Sequence, residues 1–271
     1  MYMSPKQKIT ALYLCISLLL GVPTMTYANC FLVVENNRII ERKGDCDSRH
    51  SPCSTFKIAI SLMAYDAGLL SDEDHPKLLF KEGYADFIDK WKQHHTPRLW
   101  MQNSCVWYSQ ILTKKLGNNK LKDYLKKFNY GNQDVSGDKG RGNGLTHSWL
   151  SSSLEISPVE QTIFLRKLLD KKLPVSVKSQ EMTKNLLFIE DLPGGWKLYG
   201  KTGSGSLLTQ DRTQKTDRQI GWFIGWIQKD QCSIIFAHYI EDETHQDTYA
   251  SIRAKAAARE KIIQIIKESC V

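Results

Sequence analysis

Strand-like runs occupy only the two ends of this chain, and helix-like runs fill the stretch between them. Near the start, "CFLVVENNRIIER" (Cys30 to Arg42) reads as two short strands around a turn at Asn36-Asn37. Near the end come "GWKLYGKTGSG" (Gly195 to Gly205), "QIGWFIGWIQ" (Gln219 to Gln228) and "CSIIFAHYI" (Cys232 to Ile240), spaced for an antiparallel meander. Between them, Ser54 to Leu70 reads as a helix, with apolar Phe56, Ile60, Met63, Ala64 and Ala67 at helical spacing and Gly68 near its end. A mostly helical middle continues to about Leu173, broken at "GNQDVSGDKGRGNG" (Gly131 to Gly144), where glycines and polar residues indicate a loop. A last helix, about Ser251 to Glu268, carries Ile252, Ala256, Ile262 and Ile266 as part of an apolar face. The expectation is an α+β chain, an α/β/α sandwich. Its central antiparallel sheet is formed by both chain ends (29–50 and 190–271), and a helical lobe is inserted over about 54–173.

The first 28 residues stand apart from this plan. Lys6 and Lys8 precede an apolar run from Ile9 to Gly21, and "PTMTYA" places small residues at Thr26 and Ala28. This is the pattern of a secretory signal cleaved after Ala28, and the run is short for a membrane span. Cys15 does not mark a lipid-attachment site, because Tyr13 and Leu14 precede it where small residues are needed. The remaining chain, Asn29 to Val271, suits one large domain or two small intimate ones. Export to the periplasm or the medium would permit disulfides among Cys30, Cys46, Cys53, Cys105, Cys232 and Cys270. Cys46 and Cys53 could close a short loop, although spacing does not fix the pairing.

The formal net charge of +8 falls further when the two signal lysines are removed, and the excess is spread along the chain. That favours an anionic small ligand and gives no nucleic-acid-binding pattern. No CxxC or HExxH occurs, and His94-His95 is a bare pair, read as a solvated loop or helix end. No metal is expected. Gly140, Gly142 and Gly144 lack the GK[ST] ending of a phosphate loop.

The chemistry-bearing stretch is "SPCSTFKIAI" (Ser51 to Ile60). Ser54 and Lys57 stand at i and i+3, which share one face of a helix. Phe56, Ile58, Ala59 and Ile60 surround the lysine with apolar groups. Burial disfavours the ammonium and lowers the lysine pKa, so a neutral amine could take the serine proton. Taken alone, the four residues would equally describe an N-cap serine and a snorkelling lysine.

Two further motifs change that balance. Ser104-Cys105-Val106 is an S-x-V triplet, and Lys201-Thr202-Gly203 lies on a strand near the end. S-x-x-K, a second serine motif and K-T-G, in that order, resemble the penicillin-recognising serine enzymes. S-x-V in place of S-D-N, no E-x-x-L-N segment, Tyr130-Gly131-Asn132, Trp149 in "THSWLSSSLEISP", "GWFIGW" and "SIR" ending at Arg253 narrow the match. Together they are similar to the class D (oxacillinase) serine β-lactamases over essentially the whole of Asn29 to Val271.

The resemblance implies a serine β-lactamase/penicillin-binding-protein-like fold and a set of roles. Ser54 would attack the lactam carbonyl and form an acyl-enzyme. Lys57 would be carboxylated by carbon dioxide to N6-carboxylysine, a base for acylation and deacylation. Trp149 would hold that group through its indole N–H. Ser104 would pass a proton to the leaving nitrogen, with Lys201 polarising it. Val106 would be an apolar wall, and the backbone N–H groups of Ser54 and Ser204 would form the oxyanion hole. Thr202 and Arg253 would grip the substrate carboxylate, which Lys201 would also favour, and Gly203 and Ser204 would bind the substrate beside them. Tyr130 and Asn132 would shape the pocket floor, and Cys105 would be an inert buried thiol. Carbon dioxide or bicarbonate is the one small molecule implied besides the β-lactam. The chain would be a monomer or homodimer with no membrane attachment after cleavage. Substrate preference would depend on the loop around Trp100 and Met101 and on the segment after Gly205.

The alternatives are a penicillin-binding D,D-peptidase and a β-lactam sensor domain that keeps its acyl adduct. A serine esterase is disfavoured because no G-x-S-x-G elbow occurs.

Overall fold

A computed structural model describes residues 29–36 and 38–269. The expected signal segment, Asn37 and Cys270 lie outside them. Strands β1 (Cys30–Glu35) and β2 (Arg38–Gly44) form the opening hairpin. A 3-10 turn, Cys53–Phe56, leads into α1 (Lys57–Asp66). The lobe continues with α2 (Pro97–Gln102), α3 (Val106–Leu116), α4 (Asn118–Phe128), the short α5 (Gly144–His147), α6 (Pro158–Leu169) and α7 (Val177–Leu186). Then come β3 (Phe188–Asp191), β4 (Lys197–Leu208), β5 (Lys215–Lys229), β6 (Cys232–Glu241) and α8 (Ala250–Ser269).

The strands join in the order β2-β1-β6-β5-β4-β3, every neighbouring pair antiparallel. The two chain ends meet inside the sheet, where Cys30 pairs with Tyr239 and Glu35 with Ile234. Both faces are covered, and period-2 alternation sorts the side chains between them. Trp222, Ile224 and Trp226 of β5 turn to the helical lobe, whereas Phe223 and Ile227 turn to α8, against Ala254, Ala258 and Ile262. This is why "GWFIGW" is an unbroken apolar run.

Four expectations need correction. The disulfide joins Cys30 to Cys46, and Cys53 is a free buried thiol. The hairpin register sets Cys30 opposite Gly44, so the chain just past β2 comes back beside Cys30, with a Cα–Cα distance of 5.1 Å. Secondly, Ser54 lies on a 3-10 turn, and the α-helix begins only at Lys57. Thirdly, α7 and β3 fill the region between the expected lobe and sheet. Strand β3 has four residues and an exposed edge, too short for alternation to show. Fourthly, His95 is fully buried rather than solvated.

Candidate active site

The cleft forms where the 3-10 turn, the start of α3 and strand β4 converge. Cys53 takes a left-handed backbone (φ 49°), which turns the chain sharply into Ser54. Lys57, one helical turn on, points its Nζ at Ser54 Oγ, 3.0 Å away. Lys57 is 0 % exposed. Burial lowers its pKa from 10.5 to about 8, so a neutral amine is accessible near physiological pH.

A second pair faces the first. Ser104 precedes α3 with a left-handed φ of 55°. Its Oγ accepts a hydrogen bond from Lys201 Nζ at 3.0 Å, across 97 residues of sequence. Lys201 also reaches Thr202 O at 3.0 Å and Thr202 Oγ1 at 3.4 Å. Burial, and then the charge of Lys57, hold the Lys201 pKa well below its ordinary value.

Strand β4 comes unusually close to the nucleophile turn. A Cβ on Gly203 would lie 2.9 Å from Pro52 O and 3.2 Å from Ser54 N, so only glycine permits the approach. The β4 edge facing that turn presents alternate amides. Gly200 N–H donates to Leu187 O and Ser206 N–H to Ser151 Oγ, both on the edge away from β5. Amides two residues apart point the same way, so Ser204 N–H is directed to this edge as well. The Ser54 N–H belongs to the first turn of a helix, where amides have no intrahelical acceptor. The two expected oxyanion donors therefore border the same gap.

The cavity above them holds about 180 Å³ and is lined by Ser54, Ser104, Val106, Thr202, Gly203 and Ser204. Sequence reasoning missed the rest of its wall. Phe87, Ile88 and Trp91 form one side and Leu150 and Tyr249 another, with Phe87 70 % and Tyr249 52 % exposed. Phe87 and Trp91 stand at i and i+4, spacing that reads as an ordinary helix face. Trp100 and Met101, the expected wall, are core residues instead, and the Trp100 indole donates to Ser109 Oγ at 2.9 Å. A larger polar cavity, about 480 Å³ beside Asn132, Asp138 and Arg212, has no nucleophile–base pair.

Trp149 is fully buried against the ring of Phe56, next to Lys57, and its Nε1 has no hydrogen-bond partner. A buried indole N–H without an acceptor is costly, and Trp149 shares that state with the indoles of Trp196 and Trp226. The open Trp149 donor, beside the ring of the residue that precedes Lys57, is compatible with the carbamate that the resemblance implies. Arg253 does not line the cleft. Its Nη2 bonds Asp242 Oδ2 at 2.6 Å and its Nε bonds Thr248 O at 3.3 Å. Tyr130 packs between Phe56 and Phe164. Asn132 knits two loops through Ser153 O and the Glu155 amide. Burial pushes the Cys105 thiol up to about 12 and the Cys53 thiol up to about 11, which leaves both poor nucleophiles.

Comparison with known proteins agrees with this geometry. Residues 31–264 match the family model of the penicillin-binding protein transpeptidase domain. Beta-lactamase OXA-1 of Escherichia coli is 44% identical over 235 residues, covering 84% of this chain and 82% of that protein. The chain belongs to the class D serine β-lactamases. A second class D relative, beta-lactamase OXA-9 of Klebsiella pneumoniae, is 43% identical and covers 72% of this chain and 71% of its own. The crystal structure of OXA-427 class D beta-lactamase superposes with a TM-score of 0.84 at 43% identity, covering 89% of this chain and 99% of that one. The C-terminal domain of the Bacillus licheniformis BlaR penicillin-receptor shares the fold at a TM-score of 0.76 and 26% identity, covering 91% and 92% of the two chains.

Proposed function

We propose that this protein hydrolyses β-lactam antibiotics, penicillins first, through an acyl-enzyme on Ser54. One observation carries the reading: two serine–lysine pairs, each at 3.0 Å, converge on one cleft. Ser54 Oγ attacks the lactam carbonyl carbon as its proton leaves toward the Lys57 side. The Ser54 and Ser204 amides receive the developing oxyanion, where one such donor is typically worth about 3 kcal/mol. The C–N bond then breaks as Ser104 hands its proton to the departing nitrogen and takes one from Lys201, so that the proton lost by Ser54 replaces, in sum, the one gained by the nitrogen. Water cleaves the acyl ester and returns Ser54 to its starting state. Thr202 and Ser204 offer hydroxyls for the substrate carboxylate.

The neutral Lys57 amine suits reaction with carbon dioxide, in which an N–C bond forms and a proton is lost. A carbamate there would supply an anionic base for both half-reactions. The orphaned Trp149 indole and the apolar wall around Lys57 support this modification.

The described residues include no helix long and apolar enough to cross a membrane. The Cys30–Cys46 disulfide favours an oxidising compartment, in keeping with export after signal cleavage.

The test is nitrocefin turnover with and without bicarbonate. We expect sustained hydrolysis that bicarbonate increases. Release of acylated penicillin only over hours, with bicarbonate present, would replace this reading with a sensor or transpeptidase.

A further inference from the structure

Ser104 sits on a turn that has little regular structure to hold it. Its backbone is left-handed, and the amides on either side make turn-type bonds, Asn103 N–H to Leu99 O at 2.9 Å and Cys105 N–H to Trp100 O at 3.1 Å. A further set of bonds comes from the segment before α2. Trp91 Nε1 donates to Asn103 O at 2.8 Å, and Asn103 Nδ2 meets His95 Nε2 at 3.3 Å. His95 Nδ1 lies 3.1 Å from Gln93 O, which can only accept, so Nδ1 carries the ring proton. In the neutral ring Nε2 then holds the lone pair and accepts from Asn103.

His95 is itself fixed. It is fully buried, and burial lowers its pKa, which keeps the ring neutral. Its backbone exchanges two hydrogen bonds with Leu78, at 2.8 and 2.9 Å. Its ring stands edge-on to Trp107 at 5.3 Å, and Trp107 Nε1 donates to Trp91 O at 2.9 Å. Trp91, Asn103, His95 and Trp107 thus close a ring of contacts around the turn that presents Ser104. Trp91 is also a wall of the cleft. The same ring couples the substrate-facing wall to the serine that faces the leaving nitrogen.

We propose that His95, acting through Asn103, is a positioning residue that sets the orientation of the Ser104 hydroxyl for protonating the leaving nitrogen. The inference rests on the β-lactam-hydrolysing reading above. It predicts a defect in acylation and none in deacylation, because Ser104 serves the C–N cleavage step.

The experiment is stopped-flow benzylpenicillin kinetics on the full chain, resolving acylation from deacylation. His95→Phe keeps an aromatic edge against Trp107 and removes the acceptor. Its acylation rate constant should fall about tenfold, the scale of one buried hydrogen bond, with deacylation within about twofold. His95→Gln restores an acceptor and should recover most of the loss. Asn103→Ala, at a half-buried position, should reproduce the acylation defect if His95→Phe does not fold. Acylation unchanged in His95→Phe or in Asn103→Ala overturns the proposal. So does an equal fall in both steps, or a His95→Gln variant no better than His95→Phe. Absence of turnover in the unmodified enzyme would instead remove the β-lactamase reading, so the two failures are distinguishable.

Discussion

The two serine–lysine pairs have the same 3.0 Å separation and different surroundings. Lys57 Nζ meets one hydroxyl in a wall of apolar side chains. Lys201 Nζ meets three oxygens, on Ser104 and Thr202. An ammonium needs several acceptors, whereas a neutral amine is satisfied with few. Two buried cations this close also disfavour one another, as the influence of Lys57 on Lys201 indicates. The site therefore gives Lys201 the acceptors an ammonium would need and gives Lys57 few, while burial lowers the pKa of both. Distance alone does not assign a role; the count of oxygens around each nitrogen does.

The strongest way to break the contrast is Lys57→Met, which keeps the volume and removes the amine. Turnover should fall by about a thousandfold or more, within the range for losing a general base. Stability should move the other way. The folded pKa lies below its ordinary 10.5, so the cost of burying the amine is fully present below pH 8. That cost disappears as pH rises from about 8 to 10.5. It amounts to about 3 kcal/mol at neutral pH. Thermal melts in bicarbonate-depleted buffer at pH 7 should therefore show a higher Tm for Lys57→Met. An unchanged or lower Tm would mean that Lys57 is not a strained buried amine.

Trp149→Phe is the next largest. It keeps the ring against Phe56 and deletes the orphaned N–H. We expect a rapid burst of acylation, deacylation slowed about a hundredfold, and partial recovery as bicarbonate is raised. Equal slowing of both steps, with no bicarbonate response, would show that the indole serves packing alone.

What was legible in the sequence divides along the same line as the two pairs. Ser54–Lys57 is local, and the i, i+3 spacing allows the contact, although Ser54 sits on a 3-10 turn and not in the α-helix. Ser104–Lys201 spans 97 residues, so no periodicity could place it, and motif order stood in for geometry. The sheet from both chain ends was readable because β5 and β6 are long and apolar. Strand β3, α7 and the Cys30–Cys46 pairing were not, because they depend on register between elements rather than on any one run. The cleft wall misled for a related reason. Trp100 and Met101 follow the capped start of α2 and turn inward, leaving Phe87, Trp91 and Tyr249 to face the substrate.

A pH series sharpens the contrast more gently. Only the neutral amine takes up carbon dioxide, and the carbamate is an anion. Below pH 8 two protons are released per modification, one from the ammonium and one on N–C bond formation. Above pH 8 only the second is released. Expressed as dissolved carbon dioxide, the concentration giving half-maximal activity should rise about a hundredfold per unit fall in pH well below 8, and about tenfold above it. A pH-independent requirement would detach activity from Lys57 modification.

The smallest effect is expected at Arg253. The resemblance assigns it the substrate carboxylate, but here its guanidinium is joined to Asp242, whose side chain is 4 % exposed. Breaking that pair would leave a buried carboxylate without its partner, and this kind of loss is paid in stability. The Thr202 and Ser204 hydroxyls, proposed above for the substrate carboxylate, stay in place on β4. Arg253→Ala should therefore raise KM for benzylpenicillin less than about threefold, while lowering Tm by several degrees. Asp242→Asn in the same background should return much of the lost stability, because the uncompensated charge is gone. A tenfold or greater rise in KM with Tm unchanged would mean that Arg253 leaves Asp242 when substrate binds. The positive charge that grips the substrate would then come from α8 as well as from Lys201.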